Sequence, residues 1–254
     1  CIEGTHLLEE FMKLGINPFH IIATELWLLK NNDFIKNINS DLISMVSKEA
    51  LISAVSTKNP DGVAAIVQKS SLSKSQHEKD EDFILILDRI QDPGNLGNLF
   101  RTALAAGVDR IILGGGASPF NKKVLRASCG SIFHIPFQRF EGNEEKICSY
   151  LLNTLDELSK AGFQIVLASG ENKASKVSYK PYWELNWLKP TALILGNEGN
   201  GIHNKIKEAF REIITIPHNE LVESLNVACV AVPLLLERKR VALTSISENK
   251  SDSI

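Results

Sequence analysis

Apolar and polar positions divide the chain into two patterned halves. In residues 1–69 short apolar runs alternate with amphipathic ones. "CIEG" reads as strand, Thr5 to Leu14 as a helix stopped by Gly15, "FHIIAT" as a buried strand, "VSKEALISAVST" as helix and "GVAAIVQ" as strand. From Phe83 onward the runs are apolar at nearly every position: "FILILD", "RIILGG", "FQIVLAS", "TALILG" and "EIITIP", with helical stretches such as "NLGNLFRTALAAG" between them. Continuous apolar strands are covered on both faces, and strands that alternate with helices run parallel, so this half is expected to be an α/β domain. Between the halves, "KSSLSKSQHEKDED" has little to bury and reads as a linker. The expected organisation is therefore a small α/β domain (1–69), a linker (70–82), the main α/β domain (83–243) and a polar tail (244–254), with fraying after Arg240.

Three polar turns stand out because each follows a predicted strand and precedes a helix. In "LDRIQDPGNLGNLFRTALAAG" the residues Leu96, Leu99, Phe100, Ala103 and Leu104 make one helix face, closed by Gly107. Arg101 lies about 130° from the centre of that face and points away from it. Asn95 sits in the Asp-Pro-Gly-Asn turn just before the helix. The second turn, "LILGNEGNGI", places Gly196, Gly199 and Gly201 around Glu198; glycines there allow positive φ and close approach of a ligand to backbone. In the third, "IPHNELVESLNVACVAVPLLLE", Ser224 and Asn226 open a helix apolar on nearly every side, which must be buried in a core or between subunits. Singly these are ordinary features: an Asx cap at Asn95, an N-cap at Ser224, a solvated charge at Arg101, a tight glycine turn. Jointly they converge, since open α/β sheets bind ligands beyond the carboxyl ends of their strands.

Composition narrows the chemistry. The 254 residues carry 28 Lys and Arg against 30 Asp and Glu, a formal charge of -2, so contact with nucleic acid requires a local basic patch. Lys122, Lys123, Arg126 and Arg139 are the candidates. The four cysteines form no CxxC pair and the six histidines no HExxH spacing, so no metal is expected and a reducing cytoplasm fits. No apolar run reaches the roughly 18 residues of a membrane span. The chain starts without Met, inside an expected strand, which suggests that a segment preceded it. A Rossmann dehydrogenase is disfavoured, because "DPGNLG" and "GGGASP" both break GxGxxG.

The ordered stretches "QDPGNLGNLFRTA", "LILGNEGNGI" and "IPHNELVESLNVACVAVPLLLE", with "SPFNKKVLRASCGSIFHIP" between the first two, resemble the SpoU (TrmH-like) RNA ribose 2'-O-methyltransferases of the SPOUT superfamily. The resemblance covers about residues 83 to 240; residues 1–69 resemble the family's small N-terminal substrate-binding domain. It implies a parallel-sheet domain with a deep trefoil knot, S-adenosylmethionine as cofactor, a homodimer, and RNA as substrate, rRNA first and tRNA second. A non-catalytic RNA-binding protein of the same fold is the competing reading. Asn95, Arg101, Glu198, Ser224 and Asn226 match the family's active-site positions. Leu195, Gly196, Asn197, Gly199, Gly201, Ile216, Pro217 and Leu225 match its cofactor-binding loops. His218 stands where the family usually has Met, and Pro233 lies inside the third helix, where it removes a hydrogen bond.

Overall fold

The computed structural model describes residues 1–36, 38–69, 81–170, 179–219 and 221–251, without the side chains of 246–251. Residues 70–80 of the expected linker and 252–254 of the expected tail lie outside the described residues.

The first half contains β1 (Ile2–Glu3), α1 (Thr5–Met12), β2 (His20–Thr24), α2 (Glu25–Lys30), α3 (Asn32–Ile35), β3 (Ile43–Val46), α4 (Lys48–Ala54) and β4 (Val63–Ile66). The strands form a sheet of order β1-β4-β2-β3, parallel only between β2 and β3. Local sequence explains the helix starts: the Thr24 hydroxyl accepts from Trp27 N at α2, and Ser47 accepts from Ala50 N at α4. α1 buries Leu7, Leu8 and Phe11 and ends two residues before the predicted Leu14, ahead of Gly15 at φ 70°.

The second half contains β5 (Phe83–Asp88), α5 (Pro93–Ala106), β6 (Arg110–Gly114), α6 (Lys122–Ala127), β7 (Phe137–Phe140), α7 (Glu144–Lys160), β8 (Gln164–Ala168), β9 (Lys180–Pro181), β10 (Thr191–Leu195), α8 (Asn204–Ala209), β11 (Glu212–Thr215) and α9 (Val227–Ser251). Its sheet is wholly parallel, in the order β7-β6-β5-β10-β8-β11-β9. Residues alternate between two apolar layers. Leu85, Leu87, Leu193 and Leu195 face α5 and α9, while Ile84, Ile86, Ala192 and Ile194 face the layer that holds α7 and α8. The insertion of β10 between β5 and β8 reverses the strand order, and such a reversal opens a crevice at the carboxyl ends of the neighbouring strands.

The two halves share one core. Phe11 meets Phe133 edge to face at 5.7 Å, and His134 Nε2 lies 2.8 Å from Glu10. Lys122 and Arg126 reach the buried Glu3 carboxylate at 3.2 and 3.4 Å. Gly130, at φ 82°, packs so closely that a Cβ would fall 2.5 Å from Glu10 Cγ. The first half is thus docked on the α6 region of the second.

α9 runs unbroken past Pro233 to Ser251, which corrects the expected fraying after Arg240. Two features account for it. Arg238 is buried, its guanidinium over the Phe83 ring at 4.7 Å; it donates to the carbonyls of Trp187, Lys189 and Asp82 and pairs with the Asp82 carboxylate at 2.9 Å. Beyond it, the Thr244 and Ser245 hydroxyls donate back to Arg240 and Ala242 carbonyls, so polar residues remain compatible with helix.

Candidate active site

At the start of α5, Asp92 is the cap, accepting from Asn95 N at 2.9 Å, and Pro93 occupies the first turn. Asn95 is therefore a helical residue with its carboxamide free for longer-range work, not the cap that its turn suggested. Its Nδ2 donates to Glu198 Oε1 at 3.0 Å, and its Oδ1 accepts from Asn226 Nδ2 at 3.0 Å. Asn226 Oδ1 in turn accepts from Ala228 N and Cys229 N at 2.9 and 3.3 Å, so Asn226 rather than Ser224 caps α9. That cap decides the direction of the whole chain. With Asn226 Oδ1 committed to backbone amides, Nδ2 faces Asn95, whose own amide must then donate to Glu198. Glu198 also accepts from the amides of Gln91 and Asp92 at 3.1 and 3.2 Å. Burial pushes the Glu198 carboxyl up, but the hydrogen bonds from Asn95 and from these amides outweigh it and hold it below the ordinary carboxylate value. The three turns are thereby joined by one polarised relay.

Beside the relay lies a cavity of about 560 Å³. Its walls include Leu195, Gly196, Asn197, Glu198, Gly199, Gly201, Ile216, His218, Ser224, Leu225 and Asn226, and also Ala168, Ser169, Thr215, Glu223 and Val230, which the sequence did not single out for binding. Pro217 is not among the wall residues. The glycine turn now has a physical reason. A Cβ on Gly196 would fall 2.3 Å from Gly201 C and Ile202 N, and Gly201 adopts φ 65°. Asn197 is buried, its Oδ1 accepting from Gly199 N and Asn200 N while its Nδ2 donates to Arg89 O at 2.9 Å. Its side chain builds the turn.

Behind that turn, Asp88 and Arg89 are structural supports that sequence reading missed. Asp88, 1% exposed, accepts from His203 N at 2.8 Å and from Arg89 Nε at 2.9 Å, and Arg89 also pairs with Glu144. Arg89 holds φ 58°, a left-handed conformation that a non-glycine residue keeps only when its surroundings over-determine it.

Arg101 is exposed; among the described residues its side chain donates to Cys129 Sγ at 3.5 Å, and no hydrogen bond joins it to the relay. The four basic candidates do not form one free patch. Lys122 and Arg126 face Glu3, with Arg126 also donating to Ser56 Oγ at 2.8 Å. Lys123 pairs with Asp92 at 3.1 Å, and Arg139 on β7 pairs with Glu141 and donates to Gly116 O. Lys122, Lys123 and Arg126 nevertheless remain 41–57% exposed. Among the described residues, no three His, Cys, Asp or Glu side chains come together to hold a metal, and no helix is long and apolar enough to cross a membrane.

A parallel sheet with a strand-order reversal, a steric glycine turn and a polar relay beside one cavity defines an α/β fold with its ligand site at the strand ends. Residues 82–236 match the model of the SpoU rRNA Methylase family, and the chain belongs to that family. It is 36% identical over 241 residues to the 23S rRNA (guanosine(2553)-2'-O)-methyltransferase RlmP of Bacillus subtilis, covering 92% of this chain and 86% of that one. An uncharacterized tRNA/rRNA methyltransferase of Synechocystis is 33% identical over 244 residues, covering 94% and 83%. Among solved structures, the AdoMet-bound rRNA methyltransferase from Sinorhizobium meliloti superposes with a TM-score of 0.72 at 27% identity, covering 94% and 85%.

Proposed function

We propose that the protein is an S-adenosylmethionine-dependent RNA 2'-O-ribose methyltransferase acting on rRNA, with tRNA as the second choice of substrate. The observation that carries this reading is the relay Glu198–Asn95–Asn226, which ties all three motifs to the rim of one cavity. The cavity suits the cofactor in size, since ligand pockets run to about 300–1,000 Å³. Gly196 and Leu195 bring main chain to its wall, so backbone groups are available to a ligand there. The backbone of Leu195, Gly196, Ile216 and Leu225 would hold the cofactor, with Asn197, Gly199 and Gly201 shaping one loop and Pro217 fixing the direction of the other. S-adenosylmethionine, when bound, supplies a methyl group already activated on a sulfonium.

The protein's own contribution is then chiefly positioning. Glu198, kept ionised, fixes Asn95; Asn95 and Asn226 order the groups at the rim, and Ser224 lies on the same wall. Arg101 clamps the target phosphate and stabilises the developing alkoxide, because a guanidinium is a poor base and a good oxyanion partner. A homodimer in which a second subunit completes the site is part of this reading. Val232, Leu236 and Leu243 expose 42%, 40% and 61% of their surface as one stripe along α9, an apolar face suited to that contact. A deep trefoil knot at the C-terminal end of the catalytic domain, an RNA-binding role for the first half and for Lys122, Lys123, Arg126 and Arg139, and a cytoplasmic location complete the reading.

The test is incorporation of tritiated methyl groups into unmodified rRNA. Arg101→Ala is expected to abolish transfer while S-adenosylmethionine binding stays within about twofold of wild type. Transfer at the wild-type rate by that variant refutes the role of Arg101. RNA binding without any transfer by the intact protein refutes the catalytic reading in favour of a non-catalytic RNA binder.

A further inference from the structure

The placement of Arg101 is set by a close contact between two helices. α5 meets α6 at Gly97, where a Cβ would fall 2.5 Å from Ala127 Cβ and 2.7 Å from Val124 O. Arg101 lies one turn further along the same side of α5, since residues four apart are neighbours on a helix surface. Its guanidinium thereby reaches the turn that follows α6, and Nη1 donates to Cys129 Sγ at 3.5 Å. The thiol donates in the other direction, to Arg126 O at 3.7 Å, which leaves the sulfur free to accept from the arginine. Among the described residues Arg101 has no other hydrogen bond or ion pair.

The turn that carries the thiol is fixed from two sides. Within it, the buried Ser128 and Ser131 hydroxyls donate to the carbonyls of Leu125 and Ser128 at 2.9 and 2.7 Å, and Cys129 is held at φ 47°. From the first half, Glu3 pairs with Arg126, Glu10 packs on Gly130 and reaches His134, and Phe11 meets Phe133. A long, solvent-exposed side chain thus ends on an atom whose own position is well determined. We propose that Cys129 is a positioning residue for Arg101: its sulfur holds one guanidinium nitrogen, so that the remaining nitrogens meet the substrate already oriented. This rests on Arg101 acting in methyl transfer. Ordering the arginine in advance removes rotamer entropy from the reaction step and leaves cofactor binding alone.

Three substitutions at one position test it, read by single-turnover methyl transfer to unmodified rRNA at saturating RNA and cofactor, calorimetric titration of S-adenosylmethionine, and thermal melting. Cys129→Ala removes the acceptor and is expected to slow transfer at least about threefold, the scale of one modest hydrogen bond, with cofactor affinity within about twofold of wild type. Cys129→Ser keeps an acceptor and should retain at least about half of the wild-type rate. Cys129→Gly relieves the left-handed backbone, so it should melt no lower than Cys129→Ala and yet be as slow, which a purely structural role would not produce. A smaller loss in Cys129→Ala overturns the proposal. So does Cys129→Ser as slow as Cys129→Ala, or recovery of the rate in Cys129→Gly, which assigns the effect to the backbone. Undiminished transfer by Arg101→Ala would instead remove the role of Arg101, and the inference with it.

Discussion

Removing the charge of Glu3 should loosen the joint between the two halves in a pH-dependent way. Glu3 is 8% exposed and its carboxylate accepts from the amides and hydroxyls of both Ser56 and Thr57, with Lys122 and Arg126 reaching it from α6. Burial alone raises its pKa, but these hydrogen bonds win and lower it from 4.5 to about 2. A carboxyl depressed in the folded state stabilises fully above its unfolded pKa, and that contribution disappears as pH falls toward the folded value. At about 1.4 kcal/mol per pH unit, the gap corresponds to about 3 kcal/mol at pH 7, of which about 2 kcal/mol remains at pH 3.5. Urea unfolding of wild type and Glu3→Gln across this range measures it directly. The stability difference should be about 3 kcal/mol at pH 7 and narrow by more than 1 kcal/mol at pH 3.5. A difference below about 1 kcal/mol at pH 7, or one that does not narrow, would show that the Glu3 cluster is an ordinary surface ion pair.

Two further substitutions probe the second half. Arg238→Met keeps the aliphatic packing but strands the carbonyls of Trp187, Lys189 and Asp82, and should cost about 3 kcal/mol in denaturant unfolding; a loss under about 1 kcal/mol refutes the anchoring role. Asn226→Asp retains a good helix cap but cannot donate to Asn95, so the melting temperature should stay near wild type while single-turnover methyl transfer falls at least tenfold; unchanged transfer would dismiss the relay.

Legibility in the sequence followed from how local each physical cause is. β5 and β10 were readable because every one of their residues is buried, which leaves a run of apolar letters. β7, an edge strand with exposed Gln138, and β9, two residues ending in Pro181, leave no such run and went unpredicted. Asn95 and Glu198 could be singled out because each sits in a glycine- or proline-marked turn, and Asn226 because it opens an apolar helix. What they do to one another could not, since their bonds span more than 100 residues of chain. The same distance hid Asp88, Arg89 and Arg238, which as letters are ordinary solvated charges. It also altered the basic cluster: Lys122 and Arg126 are neighbours in sequence, and a reading of like charges alone makes them a phosphate patch. Their ion-pair partner is Glu3, 123 residues before Arg126 in the chain, and it occupies one side of each cation. On the proposed reading, RNA phosphates would meet Lys122 and Arg126 on their remaining exposed faces or draw them off Glu3. That reading then requires the strength of the joint between the halves and the proposed grip on substrate to be coupled through the same two side chains.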